Sequence, residues 1–167
     1  LLFGSEMTIS SDDLLASYPK DGNQVRVSTP FAEQILKNLR EGILSRYRAA
    51  KKKIPKIQIK NYHSHWNRGA FDILYPNGFN LTVFPDPGVF ELNSKPSSQQ
   101  EIEANLKFIQ TDFFDEGKKQ GLAPALFTGS GHIHIEITKV HPQTVRNFIA
   151  DFFNATGLSA GALNEDV

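Results

Sequence analysis

Alternating polar and apolar positions over residues 2–9 put Gly4, Glu6 and Thr8 on one face and predict an opening strand. Asp12, Asp13 and the run from Pro19 to Asn23 read as a polar loop. From residue 30 to about 52 the apolar positions Phe31, Ile35, Leu39, Ile43 and Tyr47 recur every fourth residue. With Thr29 as N-cap and Pro30 in the first turn, this spacing predicts a helix, and Lys51 to Lys53 close it as a solvated basic end that complements the helix dipole. Ile54, Ile57 and Ile59 suggest a strand. Asn77-Gly78 lies between two strand-like runs, 72–75 and 79–84, which is a hairpin signal. A second turn, Pro85 to Gly88, leads into a third strand over 89–93, so an antiparallel meander is expected. Residues 98–119 carry Ile102, Leu106, Ile109 and Phe113 at helical spacing, with Ser98 and Glu101 as a capping box and Gly121 beyond the end. A glycine-led strand near 132–137 and a helix over 144–154 complete the order. The predicted class is α+β with a largely antiparallel sheet and helices packed on it.

Composition narrows the function classes. The 167 residues, 40% apolar and including thirteen Phe, suffice for a packed core in a single domain or the N-terminal part of a larger one. Eighteen basic and eighteen acidic residues cancel, which disfavours nucleic acid or an anionic membrane as partner. The absence of cysteine excludes disulfides, thiolate metal ligands and a cysteine nucleophile. No apolar run reaches membrane-helix length and no secretory signal pattern opens the chain, so a cytoplasmic location is expected.

The candidate chemistry starts at Gly129-Ser130-Gly131-His132-Ile133-His134-Ile135-Glu136, where alternation sends His132, His134 and Glu136 to one face. Imidazole and carboxylate together suggest a metal site. Glu6 in the first strand, and Glu91 with Asn93 in the meander, offer acids on faces that could converge with it. Two carboxylates and a histidine suit Mg²⁺ or Mn²⁺ better than a closed zinc site. Taken singly, each of these residues is as well explained as an ordinary surface position. The cluster His63-Ser64-His65-Trp66-Asn67-Arg68 reads either as a nucleotide or substrate contact, with Arg68 holding a phosphate or carboxylate, or as a surface loop with a half-buried Trp. A different class remains open: two histidines and one carboxylate holding Fe²⁺ or Zn²⁺ in a small barrel oxygenase or isomerase. A third is a non-catalytic module of a larger protein.

Three segments resemble one family. Phe3-Gly4-Ser5-Glu6 looks like the opening strand of the glutamine synthetase and glutamate–cysteine ligase superfamily, in its bacterial amidoligase-like branch. Asp86-Pro87-Gly88-Val89-Phe90-Glu91-Leu92-Asn93-Ser94-Lys95-Pro96 resembles that branch's Asp-Pro-Gly-Val-x-Glu-x-Asn-x-x-Pro segment, and Gly129 to His134 resembles its glycine-rich His-x-His strand. The resemblance implies a curved antiparallel sheet of glutamine synthetase-like fold that holds divalent cations and ATP on its concave face. It implies an ATP-dependent carboxylate–amine ligase that joins a small-molecule or peptide acid to an amine through an acyl phosphate. Carried over, Glu6, Glu91 and His132 would be metal ligands, Glu91 and His134 catalytic, and His134 would face phosphate or substrate. Thr8 stands where the family has a second acid in the first strand.

Overall fold

The computed structural model describes residues 2–18, 28–60, 68–124 and 140–151, together with the backbone of 133–135. The chain divides into two compact units, Leu2–His134 and a smaller one built from Leu1 with Ile135–Val167. In the larger unit β1 (Phe3–Ser10) leads to α1 (Asp12–Ala16) and the long α2 (Pro30–Ala49). Then come β2 (Lys56–Ile59), β3 (Phe71–Leu74), β4 (Asn80–Asp86) and β5 (Val89–Ser94). A long helix follows as α3 (Gln99–Ile109), one π turn (Gln110–Phe114) and α4 (Asp115–Lys119), and short strands β6 (Ala123–Pro124) and β7 (Ile133–Ile135) close the series. In the smaller unit residues 142–151 are helical, and His141 caps their start by accepting from Gln143 N through its Nδ1 and from Thr144 N through its carbonyl.

The sheet runs β2-β3-β4-β5-β1-β6, with β7 also pairing β1. The pairings of β2, β3, β4, β5, β1 and β6 along that path are antiparallel, giving an open sheet in an α+β fold. The meander forms as the turns require. Gly78, at φ +89°, makes the first hairpin, and Gly88, at φ +77°, lets a two-residue turn join Asp86 to Val89. The N-terminal strand returns beside β5, the last strand of the meander.

Alternation divides the sheet into two faces. Ile9, Ile73, Leu81, Val83, Phe90 and Leu92 are buried on one, where Leu36, Leu39 and Ile43 of α2 and Ile109 and Phe113 of the second long helix complete the core. The opposite face carries the polar residues.

The N-termini of the long helices agree with the sequence reading, whereas α2 ends at Ala49, before Lys51 to Lys53, and carries Arg46 and Arg48 in its last turn. Thr29 Oγ1 accepts from Ala32 N, and Ser98 and Glu101 form the full capping box. Three elements were not expected, the short strand β6 among them. The Asp12-Asp13 stretch, read as loop, is the short helix α1, capped by Ser11, whose side chain accepts from Leu14 N. The 98–119 helix contains a π turn, through which Asp112 is buried against α2. There Asp112 accepts from Tyr47 Oη at 3.1 Å and Tyr75 Oη at 2.6 Å and pairs with Arg46 Nη2. Arg46 also reaches Glu116 at 3.4 Å, and Glu116 holds Lys119 at 2.7 Å. Gly42 leaves room beside this pair, since a Cβ there would stand 2.6 Å from Glu116 Oε2 and the carboxylate would have to shift.

Candidate functional site

Strand register assembles the polar face row by row. Gln58, Asp72, Thr82, Asn93 and Glu6 stand opposite one another across β2, β3, β4, β5 and β1. Phe84, Glu91 and Thr8 form the next row across β4, β5 and β1. Asp86 follows beyond Phe84, opposite Val89 at the hairpin end. Side chains directly opposite in an antiparallel pair project from the same face, so Glu6, Asp86 and Glu91 share one surface. Glu6 and Glu91 are diagonal neighbours on adjacent strands, about 7–8 Å apart at Cα. All three acids are half-buried.

Electrostatics link Asp86 to both glutamates. Burial raises the Asp86 carboxyl above its ordinary range; its side-chain hydrogen bond with Glu91 acts the other way, and the negative charge of Glu6 raises it further. Tyr18 stands at the rim. Its hydroxyl is pushed up to about 12, first by burial and then by the charge of Asp86, while a backbone hydrogen bond with Gly88 opposes the shift. Ser10 Oγ donates to the Gly88 carbonyl at 2.5 Å, and the Leu15 side chain lies where a Gly88 Cβ would project. The segment after β1 therefore clasps the turn that carries Asp86.

Of the expected site residues, the fold brings Glu6 and Glu91 together on β1 and β5. Asp86 was read only as part of a rigid turn, yet it belongs to the same cluster. The signal was present: the even positions Thr82, Phe84 and Asp86 share a face, and that face is set by pairing with Glu91. Asp86 thus brings a carboxylate to a surface where Thr8 brings none. Asn93, beside Glu91 on the same face, has a buried Oδ1 with no hydrogen-bond partner.

The remaining candidates fall elsewhere. Arg68 pairs with Glu33 of α2 at 3.8 Å, and its carbonyl accepts from Ser28 Oγ. His132, Glu136 and the 63–67 part of the aromatic cluster lie outside the described residues. His134 lies in β7, which pairs β1, and its side chain is not described.

Among the described residues no three His, Asp or Glu side chains stand ready as a metal cage. The oxygen-only donor set nonetheless suits a hard cation, since Mg²⁺ commonly takes one or two protein carboxylates and completes its shell with water and phosphate. No helix among the described residues is long and apolar enough to cross a membrane. Compared with protein-family models, curated proteins and solved structures, the chain matches none.

Proposed function

We propose that this chain is an ATP-dependent carboxylate–amine ligase of the glutamine synthetase and glutamate–cysteine ligase type, in its amidoligase-like branch, acting with Mg²⁺ or Mn²⁺. The observation that carries this reading is the placing of Glu6 and Glu91 as diagonal neighbours, with Asp86 hydrogen-bonded to Glu91, on the polar face of an antiparallel sheet whose other face is buried under helices. The motif resemblance names the same two glutamates independently.

Glu6 and Glu91 would hold the cation, with His132 as a third ligand and His134 toward phosphate or substrate. Bound there, the cation would neutralise phosphate oxygens while a γ-phosphoryl group passes to the acid substrate. The residues of this chain supply position and field. Strand pairing holds the two glutamates at fixed spacing, so little order is lost when a ligand arrives. The Asp86–Glu91 hydrogen bond links the hairpin end to the proposed cation ligand and helps to hold the Glu91 carboxyl in place. Half-burial of the acids limits water around them and strengthens their attraction for a cation.

Isothermal titration with Mg·ATP tests the reading. Binding is expected for the parent chain and its loss for Glu91→Ala and His132→Ala, both still folded by circular dichroism. A chain that takes up Fe²⁺ or Zn²⁺ but no nucleotide would instead belong to the oxygenase or isomerase class.

A further inference from the structure

The acid cluster occupies one end of the polar face, and a cation occupies the other. Lys60 follows β2, and its N–H donates to the Ala70 carbonyl at 2.8 Å, which carries the β2–β3 register one residue further. Continued across the sheet, that row reads Lys60, Ala70, Phe84, Glu91 and Thr8. Lys60 is therefore level with Glu91, three strand spacings or about 14 Å away at the backbone. Its side chain lies on the same face, because Lys60 Nζ reaches Asp72 Oδ2 at 2.6 Å. Asp72 also accepts from Thr82 Oγ1 at 2.7 Å, which fixes the carboxylate and, through it, the ammonium. Between the two charged ends lie the half-buried Phe84 ring and the buried Ala70, neither with a polar side-chain atom.

We infer that Lys60 is the anion anchor for an acid substrate on this polar sheet face. It selects an acid that carries a second anionic group about two strand spacings, or about 10 Å, from the carboxylate being activated. This inference rests on the ligase reading of the acid cluster. A long dicarboxylate or a short peptide with a free C-terminus has the required shape: one carboxylate at the Glu6–Glu91 end, an apolar or extended middle over Phe84, and one carboxylate at Lys60. Lys60 suits the task better as a partnered group than as a loose one. Asp72 holds the ammonium in place while the Lys60 side chain stays 37% exposed, so a second anion can approach it. As a stability device the pair is worth little, since partly exposed ion pairs contribute about 0–1 kcal/mol. Asp72 keeps its Thr82 hydrogen bond when Lys60 is replaced, so the fold is expected to survive the test.

The experiment measures ADP release from Mg·ATP, with hydroxylamine as the amine that displaces phosphate from the acyl phosphate, for linear monocarboxylates, dicarboxylates of rising length and di- and tripeptides, with the parent, Lys60→Gln and Lys60→Arg. The parent is expected to prefer the longer dianionic acids. Lys60→Gln should raise their KM about tenfold, the loss of one charge-assisted contact, with kcat and the KM for Mg·ATP unchanged, and Lys60→Arg should recover most of the loss. Equal use of mono- and dianionic acids, or no response to Lys60→Gln, overturns the inference while leaving the ligase reading intact. A change confined to the KM for Mg·ATP also overturns it, by assigning the anion at Lys60 to the nucleotide. Absence of Mg·ATP binding removes the ligase reading and this inference with it.

Discussion

Asp86 hydrogen-bonds Glu91 on the polar face, and its protonation ties the candidate site to stability. Folding raises its pKa, so the folded chain keeps a proton that the unfolded chain gives up once pH passes the ordinary carboxylate range. Stability therefore falls as pH climbs from that range through the raised folded value, and below the ordinary range Asp86 contributes no difference. Asp86→Asn removes the penalty. The variant is expected to melt at a higher temperature than the parent near about pH 7 and at nearly the same temperature near about pH 3, compared by thermal denaturation. A parent that melts higher than the variant at neutral pH would show that the charge is stabilising there. Glu6 and Glu91 could be read from the sequence, because alternation places an acid on a predictable face. Asp86 escaped for a physical reason: in Asp-Pro-Gly the backbone demand of the turn explains all three residues, and the alternation from Thr82 gains meaning only once pairing with the Glu91 strand sets the face.

At the scale of elements, the π turn in the second long helix has an identifiable cause. It carries Asp112 into a pocket already holding Arg46, Tyr47 and Tyr75, and one turn later Glu116 meets the same arginine. Asp112 is 1% exposed and Glu116 2%, so removing either partner leaves charge stranded in the interior. Asp112→Ala is expected to cost about 3–5 kcal/mol in urea-induced unfolding, whereas a loss below about 1 kcal/mol would mean that water replaces the missing carboxylate. The extent of this helix was readable from Ser98, Glu101 and its apolar spacing. Its π turn was not, since Asp112 and Glu116 stand four apart like an ordinary solvated acidic stripe, and only the arginine on α2 reveals that they face inward. The short α1 was missed similarly: five residues are too few for a periodic signal, and its Ser11 cap resembles any turn-forming serine.

For the whole molecule, the sequence conveyed the α+β class and the antiparallel meander because hairpin turns are local chemistry. It did not convey where β1 would lie, since no neighbouring residues encode a pairing between Glu6 and Asn93. The N-terminal strand lies inside the sheet, with β5 on one side and β6 and β7 on the other. That placement dictates an order of events. A chain emerging from the ribosome makes β1 before the other strands of this sheet but cannot dock it until β5 exists, so its apolar residues Met7 and Ile9 must wait while the intervening segments are synthesised. Such distant closure is slow compared with hairpin formation. Pulse-labelled hydrogen exchange during refolding is expected to protect β3, β4 and β5 amides before those of β1, and simultaneous protection would contradict this order. Glu6 and Glu91 come together only at that docking step. The proposed cation site is thus absent from every folding intermediate that lacks β1, and an ion bound there would act as a late lock on the finished sheet rather than a seed for it.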